Sequence, residues 1–269
     1  MDVECFPIAA VKFSIVTASY NQGRFVRDCV ESVRAQSGVE WEHIVQDSCS
    51  TDESLAVLKE FPHLNVTVEK DKGMSDGINR GFLKATGDWV MWLNTDDYLF
   101  PGALAKVAEF AAKNPEADII YGDSVFVNER KEVIRRKHEH RFDFNVLLYY
   151  GCYIQSTATF LRRKIIEAGH LLNIDYRICM DFEYYVRLSR LGYRFAYLPE
   201  PLAAFRWHGA NASAVQTGRR REERLRVQRE HLQLIGRPAL QREWILDSLC
   251  RVYQGKRTLL RLLDKPASA

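Results

Sequence analysis

The sequence predicts an α/β fold: a parallel or mixed sheet flanked by helices, followed by a helical extension. Three observations predict it. Short apolar runs alternate with amphipathic stretches through the first half of the 269-residue chain. Ser19, Asp47, Asp71 and the pair Asp96 and Asp97 all fall just past such runs, and in open α/β sheets ligands bind at the carboxyl ends of strands. After Asn211 the composition turns to Arg, Glu, Gln and Leu. This shift divides the chain into a main domain, residues 1–213, and a basic helical extension, residues 214–269.

Taken in order, FSIVTA (13–18) reads as a strand leaving into a polar loop, and RFVRDCVESVRAQS as a helix with Phe25, Cys29, Val30 and Val33 on one face. A second strand ends at Asp47, and Ser50 or Thr51 is positioned to cap the helix that runs to about Glu60. NVTVEK is a third strand. MSDGINRGFLKAT reads as a helix in spite of two glycines. WVMWLN is a fourth strand, PGALAKVAEFAAKN a helix opened by Pro101, and ADIIYGDSVFV a strand. TATFLRRKIIEAGHL is a strand then a helix. MDFEYYVRLSRLGYRFAYLPEPLAAFRWHG is a helix and two strands. Helices follow over about 220–235 and 241–263, split by Gly236 and Pro238.

The net charge is only +3, but it is unevenly spread. From Arg219 onward 13 Lys/Arg face 6 Asp/Glu, so the tail carries +7 and the remainder −4. The opening stretch has no basic region ahead of an apolar one, so a signal peptide is not expected. The longest uncharged run, Phe144 to Leu161, is too polar to span a membrane. The six cysteines show no CxxC spacing, which argues against structural zinc and for free thiols in a reducing cytoplasm.

DWVMWLNTDDY (88–98) poses the chemical question. An apolar strand ends in two adjacent carboxylates, Asp96 and Asp97. Holding two like charges at the mouth of a core costs several kcal/mol unless a positive charge arrives. A divalent cation carrying a ligand's phosphates is the natural candidate.

Six segments, IVTASYNQ, HIVQDSCSTDES, DKGMSDGINRGFLKATGDWVMWLNTDD, IQSTATFLRRKIIEAG, MDFEYYVRL and FRWHGANAS, together make the chain resemble family 2 glycosyltransferases with the GT-A fold over about residues 12–213. The resemblance implies a Rossmann-like nucleotide-diphospho-sugar transferase. Such an enzyme moves a sugar from a nucleotide-diphosphate donor to an acceptor hydroxyl with inversion. TDD stands where the family carries its DxD-type motif, with Thr95 replacing the first acidic residue. By that resemblance Asp97 is assigned to the metal, Mn2+ or Mg2+, and Asp96 to the ribose or a metal-bound water. His208 is assigned to completing the metal site.

The resemblance places Asp47 on the nucleotide base, with Ser48 and Cys49 replacing the usual glycines; the alternative is that Asp47 caps the following helix. Thr17 and Tyr20 border the base. Asp71 and Gly73 match a further nucleotide-side loop, and Asp76, Asn79 and Arg80 the helix after it. Asp181 matches the catalytic base, which takes the acceptor's proton, with Glu183 as the fallback. On a helix these two point about 200° apart, so only one faces the sugar. Arg187 is placed to pair with Glu183. Gln155, Ser156, Arg206 and Trp207 match positions contacting acceptor or donor sugar.

Processive synthases of the family carry QxxRW and spanning helices. Here Ala203 stands in place of the Gln, so single-sugar transfer in cell-surface polysaccharide synthesis is expected, with UDP as the default nucleotide. The partners expected are a nucleotide-sugar donor and a glycan or lipid-linked acceptor, with no nucleic acid. The rival readings are a catalytically silent nucleotide-sugar-binding or scaffolding protein on the same fold, and a sugar-phosphate nucleotidyltransferase. The second lacks its glycine-rich, lysine-bearing opening loop in TASYNQGRF. In the tail, Trp244, Ile245, Leu249, Val252, Tyr253 and Leu260 are grouped as one apolar face flanked by Arg251, Lys256, Arg257 and Arg261. Such a face lies on an anionic membrane at the inner surface or packs on the main domain. Oligomeric state is not legible.

Overall fold

The computed structural model describes residues 11–211 and 215–264. Its sheet grows outward from β1 (Lys12–Ser19), buried at nearly every position, as a strand with neighbours on both edges and both faces must be. On one side lie β2 (Glu40–Asp47) and then β3 (Leu64–Val68), both parallel to β1. On the other lies β4 (Trp89–Trp92), also parallel. Beyond β4 the sheet becomes mixed. β8 (Thr159–Arg162) runs antiparallel between β4 and β6 (Ile119–Val127), and β9 (Phe195–Arg206) parallel to β6. The short β5 (Tyr98–Leu99) pairs antiparallel with β9, and β7 (Val133–Lys137) with β6. The nine strands run in the order β3-β2-β1-β4-β8-β6-β9-β5, with β7 off that path.

Helices cover both faces: α1 (Gly23–Arg34), α2 (Ser54–Lys59), α3 (Met74–Phe82), α4 (Ala103–Lys113), α5 (Arg163–Glu167), α6 (Met180–Arg190), α7 (Thr217–Leu234) and α8 (Glu243–Leu263). The period of two along each strand splits the apolar residues between two cores. Phe13, Ile15, Trp89 and Met91 face α1 and α4, packing with Val33, Leu104 and Val107. Val16, Ile44, Val90 and Trp92 face the other way, onto Ile78 and Phe82 of α3 and Tyr184 and Tyr185 of α6. Leu225, Val227 and Leu232 of α7 and Leu246 of α8 belong to that second core. The compositional shift near residue 213 is therefore not a break in packing. The 213/214 boundary itself lies outside the described residues.

The elements read from sequence are present, with four differences. Helix α2 starts at Ser54, later than expected, and neither Ser50 nor Thr51 caps it; the Asp52 carboxylate instead accepts from the Ser54 and Gly23 amides, each at 2.9 Å. Helix α4 begins at Ala103 behind a left-handed Gly102, so Pro101 lies in the preceding turn. The two strands expected after α6 are one strand, β9, whose register against β6 shifts about Gly122–Ser124 opposite Pro201. β5 and β7 carry no sequence signature, β5 being two residues long and β7 almost wholly exposed. Five cysteines are free thiols; Cys5 lies outside the described residues.

The two glycines of α3 serve close packing against β1. A β-carbon at Gly77 would lie 2.9 Å from Asp71 Oδ2 and 3.2 Å from Ala18 Cβ, and one at Gly81 would overlap the buried Val16 side chain. Gly81→Ala is therefore expected to lower unfolding free energy by about 1–3 kcal/mol, despite alanine's better helix propensity. Urea denaturation checks this. An unchanged or raised midpoint would contradict the packing argument.

Candidate active site

A cleft of about 490 Å³ opens where β1, β2 and β4 end. One wall carries Ser19, Tyr20, Ser48, Lys70, Asp71 and Gly73; the floor carries Asn94, Thr95 and Asp96. The opposite wall is built from Arg177, Asp181, Phe205, His208 and Asn211, with Ser156 beside them. The recurrence of polar residues past strand ends thus converges on one space.

The two aspartates of TDD occupy different environments. Asp96 faces the cleft, where its Oδ2 lies 2.9 Å from His208 Nε2 and 3.3 Å from Asn211 Nδ2. Asp97 lies behind it, 1% exposed. Its Oδ1 accepts from the Arg206 amide at 2.9 Å and its Oδ2 from Asn94 Nδ2 at 3.0 Å. Burial first, then the charge of Asp96, push the Asp97 carboxyl well above the usual carboxylate range. In this geometry Asp97, assigned from the sequence to the metal, does not reach the cleft, and Asp96 does.

Arg206 explains why the pair can exist. It does not face the cleft, where a sugar contact was expected, but is 2% exposed beneath it. Its guanidinium donates to the Asp96 carbonyl at 2.9 Å and to Asp28 Oδ2 at 2.7 Å, and lies over the rings of Phe25 and Tyr98. Although burial opposes it, Lys131 and Arg206 hold the Asp28 carboxyl below its ordinary value.

A divalent ion fits the cleft-facing pair. Adjacent ligands of an octahedral ion at about 2.1 Å lie about 3.0 Å apart, close to the observed spacing of Asp96 and His208. One carboxylate with one imidazole suits a manganese-like ion. Among the described residues no three His, Cys, Asp or Glu side chains gather, so the remaining positions are left for water and a ligand's phosphates.

Asp181 enters from the first turn of α6 and lines the cleft. Burial raises its pKa, against the Phe182 amide, the Cys152 thiol and Arg220, which favour the charged form. Glu183, two residues on, points away: it is 4% exposed and paired with Arg187 at 2.7 Å. The fallback base therefore has no access to the cleft.

Other expected contacts are placed behind the walls. Asp47 accepts from Ser19 Oγ at 2.8 Å and from the Ser50 amide and hydroxyl at 2.7 Å each. Its carboxylate closes its own turn, leaving the largely buried Ser48 to line the cleft; it caps no helix. Thr17 is fully buried, bonded to the Leu93 carbonyl and His43. Asn79 clamps both backbone groups of Leu172. Asp76 accepts from the Lys72 amide and from Arg80. Gln155 does not line the cleft, and Trp207 is 44% exposed beside Phe205. Tyr20, Asp71, Gly73, Asp96, Ser156, Asp181 and His208 are the expected residues that the fold brings together.

Four residues were missed. Lys70 sits over the Tyr20 ring, 4.7 Å from its centroid, and Arg177 crosses the open face of Gly73 to donate to the Lys72 carbonyl. Asn211 completes the Asp96 cluster. Glu223, on α7, accepts from the amides of Arg177, Ile178 and Cys179 at 2.8–3.1 Å and from Arg219. It caps α6 from another helix and so fixes the turn that delivers Asp181. No local signal marks this role, because the amides that Glu223 accepts from lie more than 40 residues away.

The family model described as glycosyl transferase family 2 matches residues 14–170. A Mycobacterium bovis PGL/p-HBAD biosynthesis glycosyltransferase is 32% identical over 190 residues, 67% of this chain and 70% of its own. The uncharacterized glycosyltransferase YwdF of Bacillus subtilis is 26% identical over 233 residues, 82% and 84% of the two chains. Among solved structures, S. aureus TarS 1–349 with UDP-GlcNAc aligns with a TM-score of 0.67 at 17% identity, over 90% of this chain and 71% of its own. The mannosyltransferase PcManGT of Pyrobaculum calidifontis, in complex with GDP-Man and Mn2+, aligns at 0.63 and 17% identity, over 96% and 76%. Both share the GT-A fold with this chain.

Removing the cap leaves three amides without their acceptor. Glu223→Ala is expected to cost about 2 kcal/mol of stability and to speed hydrogen exchange at residues 177–179, while β1 and β4 amides stay protected. Unchanged exchange at 177–179 would contradict the capping role.

Proposed function

The chain belongs to glycosyl transferase family 2 and is a glycosyltransferase, and from that premise we propose inverting, metal-dependent, non-processive transfer of one sugar from a UDP-sugar to a hydroxyl of a cell-envelope glycan. The observation that carries the reading is that Asp181, a carboxyl with raised pKa, and the Asp96–His208 pair line the same cleft. A base and an anion-holding site within one cavity are what displacement of a diphosphate requires. UDP as the nucleotide is supported by the nucleotide in the TarS complex, and the metal by the Mn2+ in the PcManGT complex.

The roles follow from the walls. Tyr20, Lys70, Asp71 and Gly73 receive the nucleoside side of the donor. Lys70 and Arg177 offer positive charge to the diphosphate. Asp96 and His208 would hold the ion, with the Asn211 amide bracing Asp96, and the ion would supply charge against the departing diphosphate. The acceptor hydroxyl approaches Asp181. As its oxygen bonds to the anomeric carbon, its proton passes to the Asp181 carboxylate, and the carbon–oxygen bond to the diphosphate breaks with its electron pair staying on the leaving oxygen. Attack opposite the leaving group inverts the centre.

Calorimetry with UDP, GDP and dTDP, with and without Mn2+, tests donor recognition; no heat with any of them would end this reading. Asp181→Asn is expected to slow donor turnover by about 10²–10⁴-fold while leaving the nucleotide Kd essentially unchanged. Unaltered turnover would favour a silent or differently catalysed protein. Because the folded-state pKa of Asp181 is raised, the base is protonated at a pH where an exposed aspartate is still ionised. The acid limb of kcat should therefore lie above about 3.9, the ordinary aspartate value. A limb at or below that value would remove Asp181 from the role.

A further inference from the structure

Helix α8 has two apolar faces. The inner one is used by the fold: Leu246 is fully buried, Tyr253 stacks on Tyr149 at 4.8 Å, Leu249 and Leu260 pack on the same core, and Arg257 pairs with the buried Glu139 at 2.7 Å. Leu249, Tyr253 and Leu260, read from the sequence as part of a membrane-facing side, are thereby committed to the protein.

The outer face has no such use. Trp244, Val252, Leu259, Leu262 and Leu263 are 57–72% exposed. At 100° per residue they fall within a stripe about 100° wide, on the side away from Leu246 and Arg257. Exposed Arg251 borders the stripe on one edge, and Lys256, paired with Asp143 at 2.5 Å, on the other. The nearby acidic residues turn away: Glu243 and Asp247 pair with Arg221, Arg224 and Arg229, and Asp264 with Arg141. The outward surface is thus a tryptophan-bearing apolar strip edged by Arg251 on one side and the Lys256–Asp143 pair on the other, with the carboxylates of α8 itself turned to arginines. A second copy of the chain is a poor occupant, because a two-fold axis through the middle of the stripe would set Arg251 against its own copy. An anionic surface that also accepts apolar side chains matches both features.

We propose that the outer face of α8 docks this protein on an anionic lipid bilayer, with Trp244, Val252, Leu259 and Leu262 entering the headgroup–acyl boundary and Arg251 meeting lipid phosphates. This surface is separate from the cleft, and its test does not depend on donor or acceptor.

The full-length protein is sedimented with vesicles of phosphatidylcholine alone and with about 30% phosphatidylglycerol, at about 0.1 M and 0.5 M NaCl. Binding to the anionic vesicles is expected, weakened at high salt where charges are screened, with little binding to the neutral ones. The triple variant Trp244→Ser, Val252→Ser, Leu259→Ser should lose at least about tenfold in partition coefficient. Arg251→Glu should weaken binding while keeping the apolar strip. Both variants should melt like the wild type, since the side chains face outward; Leu234→Ser, an exposed leucine on α7, is the neutral control. Wild-type protein that stays in the supernatant overturns the proposal. So does a triple variant, folded or not, that still sediments as wild type, since binding then lies elsewhere. Wild-type dimers that the triple variant dissolves, without vesicle binding, would make the stripe a subunit interface instead.

Discussion

One buried arginine makes the rest of this site possible. Arg206 donates from its backbone to Asp97, from its side chain to the Asp96 carbonyl, and to Asp28 across the fold. A buried guanidinium is tolerable only with its donors met and an opposite charge nearby, and each of its partners here is an anion or a carbonyl. In return it pins the end of β9 to the end of β4. The twin carboxylates are therefore not equivalent. Asp97, with raised pKa, is an acceptor inside the fold, and Asp96 is the carboxyl group presented to the cleft.

The same logic of remote bracing governs the opposite wall. Asp181 sits at the start of α6, where free amides would leave the turn unsatisfied. Glu223 supplies the acceptor from α7. The basic extension is thus structurally continuous with the catalytic wall. Its helices bury Leu225, Val227, Leu232 and Leu246 in the core beneath α6. A perturbation of α7 reaches Asp181 through the three amides that Glu223 holds.

How much of this the sequence revealed depends on the range of the interaction. Strand and helix positions were legible because period and turn residues are local, and the cleft because polar residues recur at strand ends. The opposed directions of Asp181 and Glu183 followed from helical geometry alone. That Asp96 and not Asp97 faces the cleft was not legible, because it is set by an arginine 109 residues beyond Asp97. Asp47, Thr17 and Asn79 match ligand-contact positions in pattern, yet here their side chains are spent on backbone and hydroxyl partners of the fold. The membrane-facing residues of α8 were grouped wrongly, since composition shows a helix to be amphipathic but not that it carries two apolar faces, one of them taken by Tyr149 and its neighbours.

The central claim is that Asp96 with His208 receives the ion and Asp97 braces it from behind. Titrating Mn2+ into protein saturated with UDP, and following loss of the free-ion electron paramagnetic resonance signal, tests this in wild type, Asp96→Asn, His208→Ala and Asp97→Asn. The account predicts that the first two variants lose ion uptake while remaining folded. Asp97→Asn should lower the melting temperature and still bind the ion where folded. A folded Asp97→Asn that takes up no ion, beside an Asp96→Asn that takes it up normally, would contradict the account.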